Sequence, residues 1–402
     1  MDKTFLLTGA TGMLGGYLLR DGLKGGDRMA ALVRDHRKVS ATQRVARMLS
    51  PYEAELWGRS NGNGGVPRPV VLSGDLSQDD LDLDARSIDW IARHCHAIVH
   101  NAASLQFHGP DRRGEPWETN VEGTRRILNL CRTTGIKHMH YVSTAYVCGL
   151  RSGRVLEDEL DVGQALGNDY ERSKLESEQM VREASFLDSL TVYRPAIIIG
   201  DSVTGETTGF HGFYAVLKLA HTLVSRVELG ATSGGELAGI LGFESSESKH
   251  FVPVNWVSSV ITHIRRNPEF HGRTYHLTAQ RPTPVAEMAA VIQDAVERYS
   301  RLADRNDPSR LDGAWIAQAF REQMSVYRAY WRDDPQFDQR NTHWAAGHLP
   351  CPQVDRQMLM RMARWAIDSR FGRAARPPRP QSVARTSALV GAVSSPTVGG
   401  KG

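Results

Sequence analysis

"LLTGATGMLGGYLL" (residues 6–19) sets Gly9, Gly12 and Gly15 between a short apolar run and a longer amphipathic one. Glycine is required where a backbone turns tightly or where a phosphate must come close to it. A helix that starts directly after such a turn offers unpaired N–H groups and partial positive charge to an anion. The spacing predicts a strand–turn–helix unit cradling the pyrophosphate of a dinucleotide, with Thr8, Gly9, Thr11, Gly12, Met13, Leu14 and Gly15 as its contact residues. The triplet alone fits a plain glycine-rich turn equally well, so the rest of the chain has to supply the context.

That context is an alternation of strand and helix signals. Short runs rich in β-branched or aromatic residues, or bounded by turn residues, predict strands at 4–7, 29–33, 69–72, 97–103, 138–147 and 190–199. Helical stretches lie between them near 13–23, 39–49, 84–94, 119–134 and 170–186. Repeated βαβ units imply an α/β fold: a Rossmann-type, doubly wound parallel sheet with helices on both faces. The expected organisation is a nucleotide-binding domain over 1–200 and a smaller, mostly helical substrate region over 201–371. A segment near 249–265 is expected to return to the first domain. "GRSNGNGG" (58–65) reads as an exposed loop, and the Pro-, Ser- and Arg-rich 372–402 as a disordered tail.

Composition narrows the function classes. In 402 residues, 41% hydrophobic content and 23% charge are close to a soluble globular average and allow a sizeable core. A net charge of +4 without an aromatic-and-basic stripe gives no nucleic-acid surface. Cys95, Cys131, Cys148 and Cys351 form no CxxC pair, and "HCH" (94–96) lacks a ligand set, so neither a disulfide framework nor a metal site is expected. No run reaches the ~18 apolar residues of a membrane span. The first residues read as strand and turn, not as a targeting segment, and a cytoplasmic location is expected.

At the end of the second strand, "ALVRDHRK" (31–38) brings Arg34 to the position where an acid usually binds the ribose of NAD and an arginine accepts the 2′-phosphate of NADP. With Arg44 close in sequence, NADP(H) is expected over NAD(H), although Asp35 is available to a ribose.

Two further stretches carry chemistry. "YVSTAYVCG" (141–149) ends the fifth strand with Ser143 and Thr144, and "DYERSK" (169–174) opens the next helix with Tyr170 and Lys174 one turn apart. Tyrosine ordinarily titrates near ~10. A neighbouring ammonium, together with the positive nicotinamide of an oxidised cofactor, is expected to favour its phenolate and make it a proton donor and acceptor near neutral pH.

In order, TGxxGxxG (8–15), "GDL" (74–76), "HNAA" (100–103), "NVEGT" (120–124), "STAYVCG", YxxxK (170–174) and "RPA" (194–196) resemble an extended short-chain dehydrogenase/reductase over about the first 200 residues. The resemblance implies Asp75 and Leu76 near adenine, Asn101, Ala102 and Ala103 along the cofactor, and Asn120 as a supporting polar residue. It also implies Ser143, Pro195, Ala196 and Ile197 on the cofactor side, beside Tyr170 and Lys174, and Thr144 as the hydroxyl of a Thr144–Tyr170–Lys174 catalytic set. "LVRDHRKVSATQRVARML", "AIVHNAASLQF" and "YRPAIIIGDSVTGETTGF" are similar to the branch of thioester reductases and fatty-acyl reductases.

Membership there implies NADPH-dependent reduction of an acyl thioester, carried on CoA or on an acyl carrier protein supplied in trans, to an aldehyde or alcohol. "FHGFY" (210–214) suggests Phe210, His211, Phe213 and Tyr214 as an apolar substrate surface, with packing between domains as the competing reading. The alternatives are a hydroxyl or keto dehydrogenase of apolar metabolites, a sugar-nucleotide epimerase or dehydratase, and a non-catalytic NADP sensor.

Overall fold

A computed structural model describes residues 4–58, 65–226, 247–300 and 332–373. Most of the 58–65 loop, part of the 201–371 region and the tail from 374 onward lie outside the described residues. The first half runs β1 (Thr4–Thr8), α1 (Met13–Lys24), β2 (Arg28–Val33), α2 (Ala41–Leu49), α3 (Glu53–Trp57), β3 (Val70–Ser73), α4 (Ala85–His94), β4 (Cys95–His100), α5 (Gly123–Thr134), β5 (His138–Val142), β6 (Arg154–Val155), α6 (Asp169–Arg182) and β7 (Ser189–Pro195). The second half continues with β8 (Ile197–Ile199), α7 (Phe213–Arg226), β9 (Ser248–Lys249), β10 (Phe251–Pro253), α8 (Val254–Arg266), β11 (Thr274–Leu277), β12 (Thr283–Pro284), α9 (Val285–Tyr299), β13 (Gln336–Phe337), α10 (Arg340–Ala346) and α11 (Arg356–Asp368).

Seven strands form one sheet in the order β11-β7-β5-β4-β1-β2-β3, every pair parallel. The strand order reverses at β1, between β2 and β4. In such sheets the crevice beyond the strand ends at this point is where ligands bind. A parallel sheet must be covered on both faces. Leu7, Ala31 and Val99 enter a cluster with Leu14, Leu18, Val257 and Ile261, whereas Leu6, Ala30 and Ile98 enter one with Ile127, Cys131 and Val181. All four cysteines are free thiols.

Three expected strands end earlier than their apolar runs, each for a local reason. Residues 97–103 leave the ladder after His100, because the Thr8 hydroxyl accepts the N–H groups of Asn101 and Ala102, both at 3.1 Å. Residues 138–147 stop at Val142, and Thr144 then caps a tight helical turn over Ala145–Cys148. Residues 190–199 divide at Ala196: β7 stays in the main sheet, while β8 leaves it to pair with β10. The seventh strand, β11, was not expected. It comes from the second half of the chain and pairs with β7, and α8 packs on α1 through Val257, Val260 and Ile261. Of the other helices of the second half, α7, α9 and α11 share a separate core around Leu217, Ile292 and Met362, whereas α10 joins the first cluster through Ala345 and Ala346.

Candidate active site

β1 delivers the chain into the glycine turn. Gly9 has φ +69°, and a Cβ there would lie 2.8 Å from the backbone of Ala102. At Gly15 a Cβ would fall 2.0 Å from the Gly9 carbonyl oxygen. No side chain replaces either glycine without moving backbone. Gly12 caps α1 without a side-chain hydrogen bond, so the first amides of the helix are left for an anion. This cradle fits a dinucleotide pyrophosphate.

Thr8 is fully buried and works from behind the turn. Thr124 donates to the Asn120 carbonyl at 2.6 Å, so it accepts from His100 Nε2 at 3.0 Å. Nδ1 of His100 is then the acceptor for the Thr8 hydroxyl at 2.8 Å. Burial keeps His100 neutral by pulling its pKa down to about 3. Asn120 is also set back: it accepts from Ser104 N at 2.8 Å and donates to Ser173 Oγ at 2.9 Å. These two expected contact residues hold the loops that line the cavity.

At the nucleotide end, Arg34 and Arg44 line the cavity with Asp75 and Leu76. Arg44 donates to the Arg34 carbonyl at 2.6 Å and to Thr11 Oγ1 at 3.1 Å. Asp35 is committed elsewhere: one oxygen accepts from Ala41 N at the start of α2 at 2.5 Å, the other from Ser73 Oγ at 3.1 Å.

At the other end Thr144, Tyr170 and Lys174 line the same cavity, which has a volume of about 580 Å³ and also touches Gly9, Gly12, Asn101, Ala102, Ala103, Pro195, Ala196 and Ile197. The α6 N-cap, Asn168, accepts from Glu171 N at 2.9 Å, which places Tyr170 in the first turn. Tyr170 and Thr144 stand beside one another on the cavity wall, and the Thr144 hydroxyl counters part of the effect of burial on the phenol. Burial pushes the Tyr170 phenol up to about 12 and pulls Lys174 down to about 7. Lys174 by itself does not bring the phenol toward neutrality. The ammonium donates instead to Tyr141 OH at 2.8 Å and to the Val142 carbonyl at 2.9 Å, so Tyr170 is a protonated donor here.

Ser143 and Thr144 separate clearly. The Ser143 hydroxyl donates to Glu178 at 2.6 Å. Glu178 in turn pairs with the buried Arg194, at 2.7 Å for the closest contact. Thr144 is the hydroxyl of the pair that meets Tyr170.

Of the four expected substrate residues, His211 and Phe213 line the cavity. Phe210 packs edge-on against Phe371, and Tyr214 is 1% exposed with its hydroxyl accepting from Gly200 N at 3.0 Å. Tyr214 belongs to the core of the helical half, the packing reading of that stretch. Tyr141, Phe107, Tyr146, Lys249, Phe251 and Met288 were not singled out from the sequence. All but Tyr141 line the cavity, and Tyr141 holds Lys174. Tyr141 and Tyr146 lie in the same stretch as Thr144, and Phe107 ends "AIVHNAASLQF", so these three left a signal.

Nucleotide cradle and tyrosine–lysine pair meet in one cavity across a parallel sheet, the arrangement of the extended short-chain dehydrogenase/reductases, and this chain belongs to that class. It belongs to the family described as Male sterility protein, which it matches over residues 7–261. It is 29% identical over 293 residues to nonribosomal peptide synthetase asaC of Aspergillus flavus, covering 70% of this chain and 26% of that protein. With the carboxylic acid reductase of Mycobacterium marinum it shares 26% identity over 290 residues, covering 68% and 24%. The chain therefore spans about a quarter of the length of these relatives. Among solved structures, the terminal R domain from the myxalamid PKS-NRPS biosynthetic pathway is 27% identical, with a TM-score of 0.70 and 92% of each chain covered. UDP-glucuronic acid 4-epimerase from Bacillus cereus in complex with NAD, at 14% identity and a TM-score of 0.60 with 91% of this chain and 99% of that one covered, shares the fold.

Proposed function

We propose that this chain is an NADPH-dependent thioester reductase acting on an acyl group carried by CoA or by a carrier protein. The observation that carries the reading is the meeting of Thr144 with a protonated Tyr170 on a cavity that also holds the glycine cradle. The likeness to a terminal R domain over 92% of both chains supports the thioester over an alcohol or ketone. Gly9, Gly12, Gly15 and Arg44 are the residues to hold the cofactor. Bound reduced nicotinamide supplies hydride to a carbonyl carbon. Thr144 orients the carbonyl oxygen, and Tyr170 hands its proton to that oxygen as negative charge develops there. Lys174 supplies positive charge behind the tyrosine through β5. The test is NADPH oxidation with acyl-pantetheine and acyl-CoA thioesters beside chain-matched ketones. Thioester-dependent oxidation supports the reading, and oxidation with ketones alone assigns the alternative dehydrogenase class.

We assign the preference for NADPH to Arg34 and Arg44, with Asp35 drawn away by α2 and Ser73. Arg44→Ala is expected to raise the KM for NADPH about 10- to 100-fold, the size of a charged hydrogen-bonded contact, and to leave the KM for NADH nearly unchanged. Equal losses with both nucleotides assign Arg44 a role in the turn through Thr11 instead.

The pH profile follows from the two buried groups. Lys174, lowered to about 7 by burial, carries its charge below that pH and loses it above. Tyr170, raised to about 12, keeps its proton throughout that range. The kcat/KM for reduction is therefore expected to be level below about pH 7 and to fall as pH rises above it. A profile level up to pH 9, beyond the Lys174 transition, removes the lysine charge from the account.

A further inference from the structure

The substrate end of the cavity contains a polar group that neither nucleotide binding nor proton transfer uses. Lys249, on β9, lines the cavity among Phe213, Phe251 and Met288. Its ammonium contacts Asp334 at 3.0 Å, and the two side chains are 4% and 3% exposed. Asp334 also accepts from Tyr146 OH at 2.9 Å and from His250 N at 2.8 Å. Tyr146 N donates in turn to Thr144 Oγ1 at 3.3 Å. Tyr146 thus links the two ends of the wall, its phenol on the partner of Lys249 and its backbone on the Thr144 hydroxyl.

Burying a charge pair in an apolar wall is costly, and replacing it with hydrophobic residues is often stabilising. Packing alone does not call for it here. A lysine ammonium has three donors and no acceptor. Among the described residues, Asp334 is the single hydrogen-bond partner of Lys249 Nζ, which leaves donors for a ligand. The pair is electrically neutral overall, so the fitting ligand is a neutral acceptor and not a second carboxylate.

We infer that Lys249, fixed by Asp334, is a specificity-determining residue that selects acyl thioesters bearing a second, neutral carbonyl oxygen close to the thioester carbonyl, as in an N-acylaminoacyl group. This rests on the thioester-reductase reading above. A site built to hydrogen-bond a substrate group discriminates against an analogue lacking it, because the buried polar group is then left unsatisfied.

The experiment compares N-hexanoylglycyl-pantetheine with nonanoyl-pantetheine, which match in length and differ by the amide, as substrates for NADPH oxidation. The full chain is expected to prefer the amide substrate by about 10- to 100-fold in kcat/KM, the worth of one hydrogen bond to a charged donor. In Lys249→Met/Asp334→Asn, which removes both charges together, that ratio is expected to collapse toward one. A ratio near one in the unmodified chain overturns the inference without any variant, and so does a ratio unchanged in the double variant. If neither thioester is reduced, the thioester-reductase reading fails instead.

Discussion

Tyr170→Phe is expected to lower NADPH-dependent thioester reduction by about 10²- to 10⁴-fold, the usual worth of a positioned general acid. The change deletes one hydroxyl at a half-buried position on the cavity wall, so the ring still packs edge-on against Phe107. The glycine cradle, Arg44 and the Lys174–Tyr141 contact are untouched. Nucleotide affinity, read by quenching of nicotinamide fluorescence, should therefore stay within about twofold, well under the tenfold that corresponds to 1.4 kcal/mol. A variant that kept its turnover would assign proton delivery to another group or to solvent. A variant that lost NADPH binding as well would make Tyr170 a cofactor contact first.

The second large effect concerns stability. Glu178→Gln removes the charge that Arg194 faces, and both side chains are essentially inaccessible, at 0% and 1% exposure. Breaking a buried pair by removing one partner costs about 3–5 kcal/mol, because the remaining charge stays buried. For a chain of 402 residues that corresponds to a melting point lower by roughly 4–6 °C. Burial alone would raise the Glu178 pKa, but Arg194, Arg182 and the Ser143 hydroxyl overcome it and hold the carboxyl at about 2.

A carboxylate depressed in this way contributes stability that is full above its ordinary value of 4.5 and is lost as pH falls toward 2. The gap in melting temperature between the native chain and Glu178→Gln should accordingly be constant from pH 5 to 7 and narrow below about 4.5. A gap independent of pH would mean that side-chain shape, not charge, is what the substitution disturbs. Glu178 also accepts from Ser143, next to Thr144, so the variant is expected to lose some activity at temperatures where it remains folded.

The parts legible in the sequence are those whose physical requirement is local. The steric demand at Gly9 and Gly15 is met within one turn. The facing of Tyr170 and Lys174 follows from helical spacing, and six of the seven strands of the first half, all but β6, show as short apolar runs between turn residues. The strand ends were less legible. Apolar runs continue past Val142 and across Ala196, but the ladder stops where Thr144 caps a turn and where the chain changes sheets, and both events depend on partners elsewhere. β11 is only four residues long and is a strand because β7 lies beside it. Tyr214 follows the same logic: an aromatic residue near a predicted pocket reads as a lining residue until the helical core is seen to enclose it.

The sequence by itself determined the class of fold, the nucleotide turn and the pairing of a tyrosine with a lysine, because each is a statement about residues within a few positions of one another. Only the tertiary structure decided what those residues do to one another. Lys174 is turned to Tyr141 on a strand 33 residues away, and Tyr146 is joined to Asp334 across 188. Burial, which no local spacing encodes, keeps the Tyr170 proton in place and draws the Lys174 pKa down, since both charged forms must give up water to exist there.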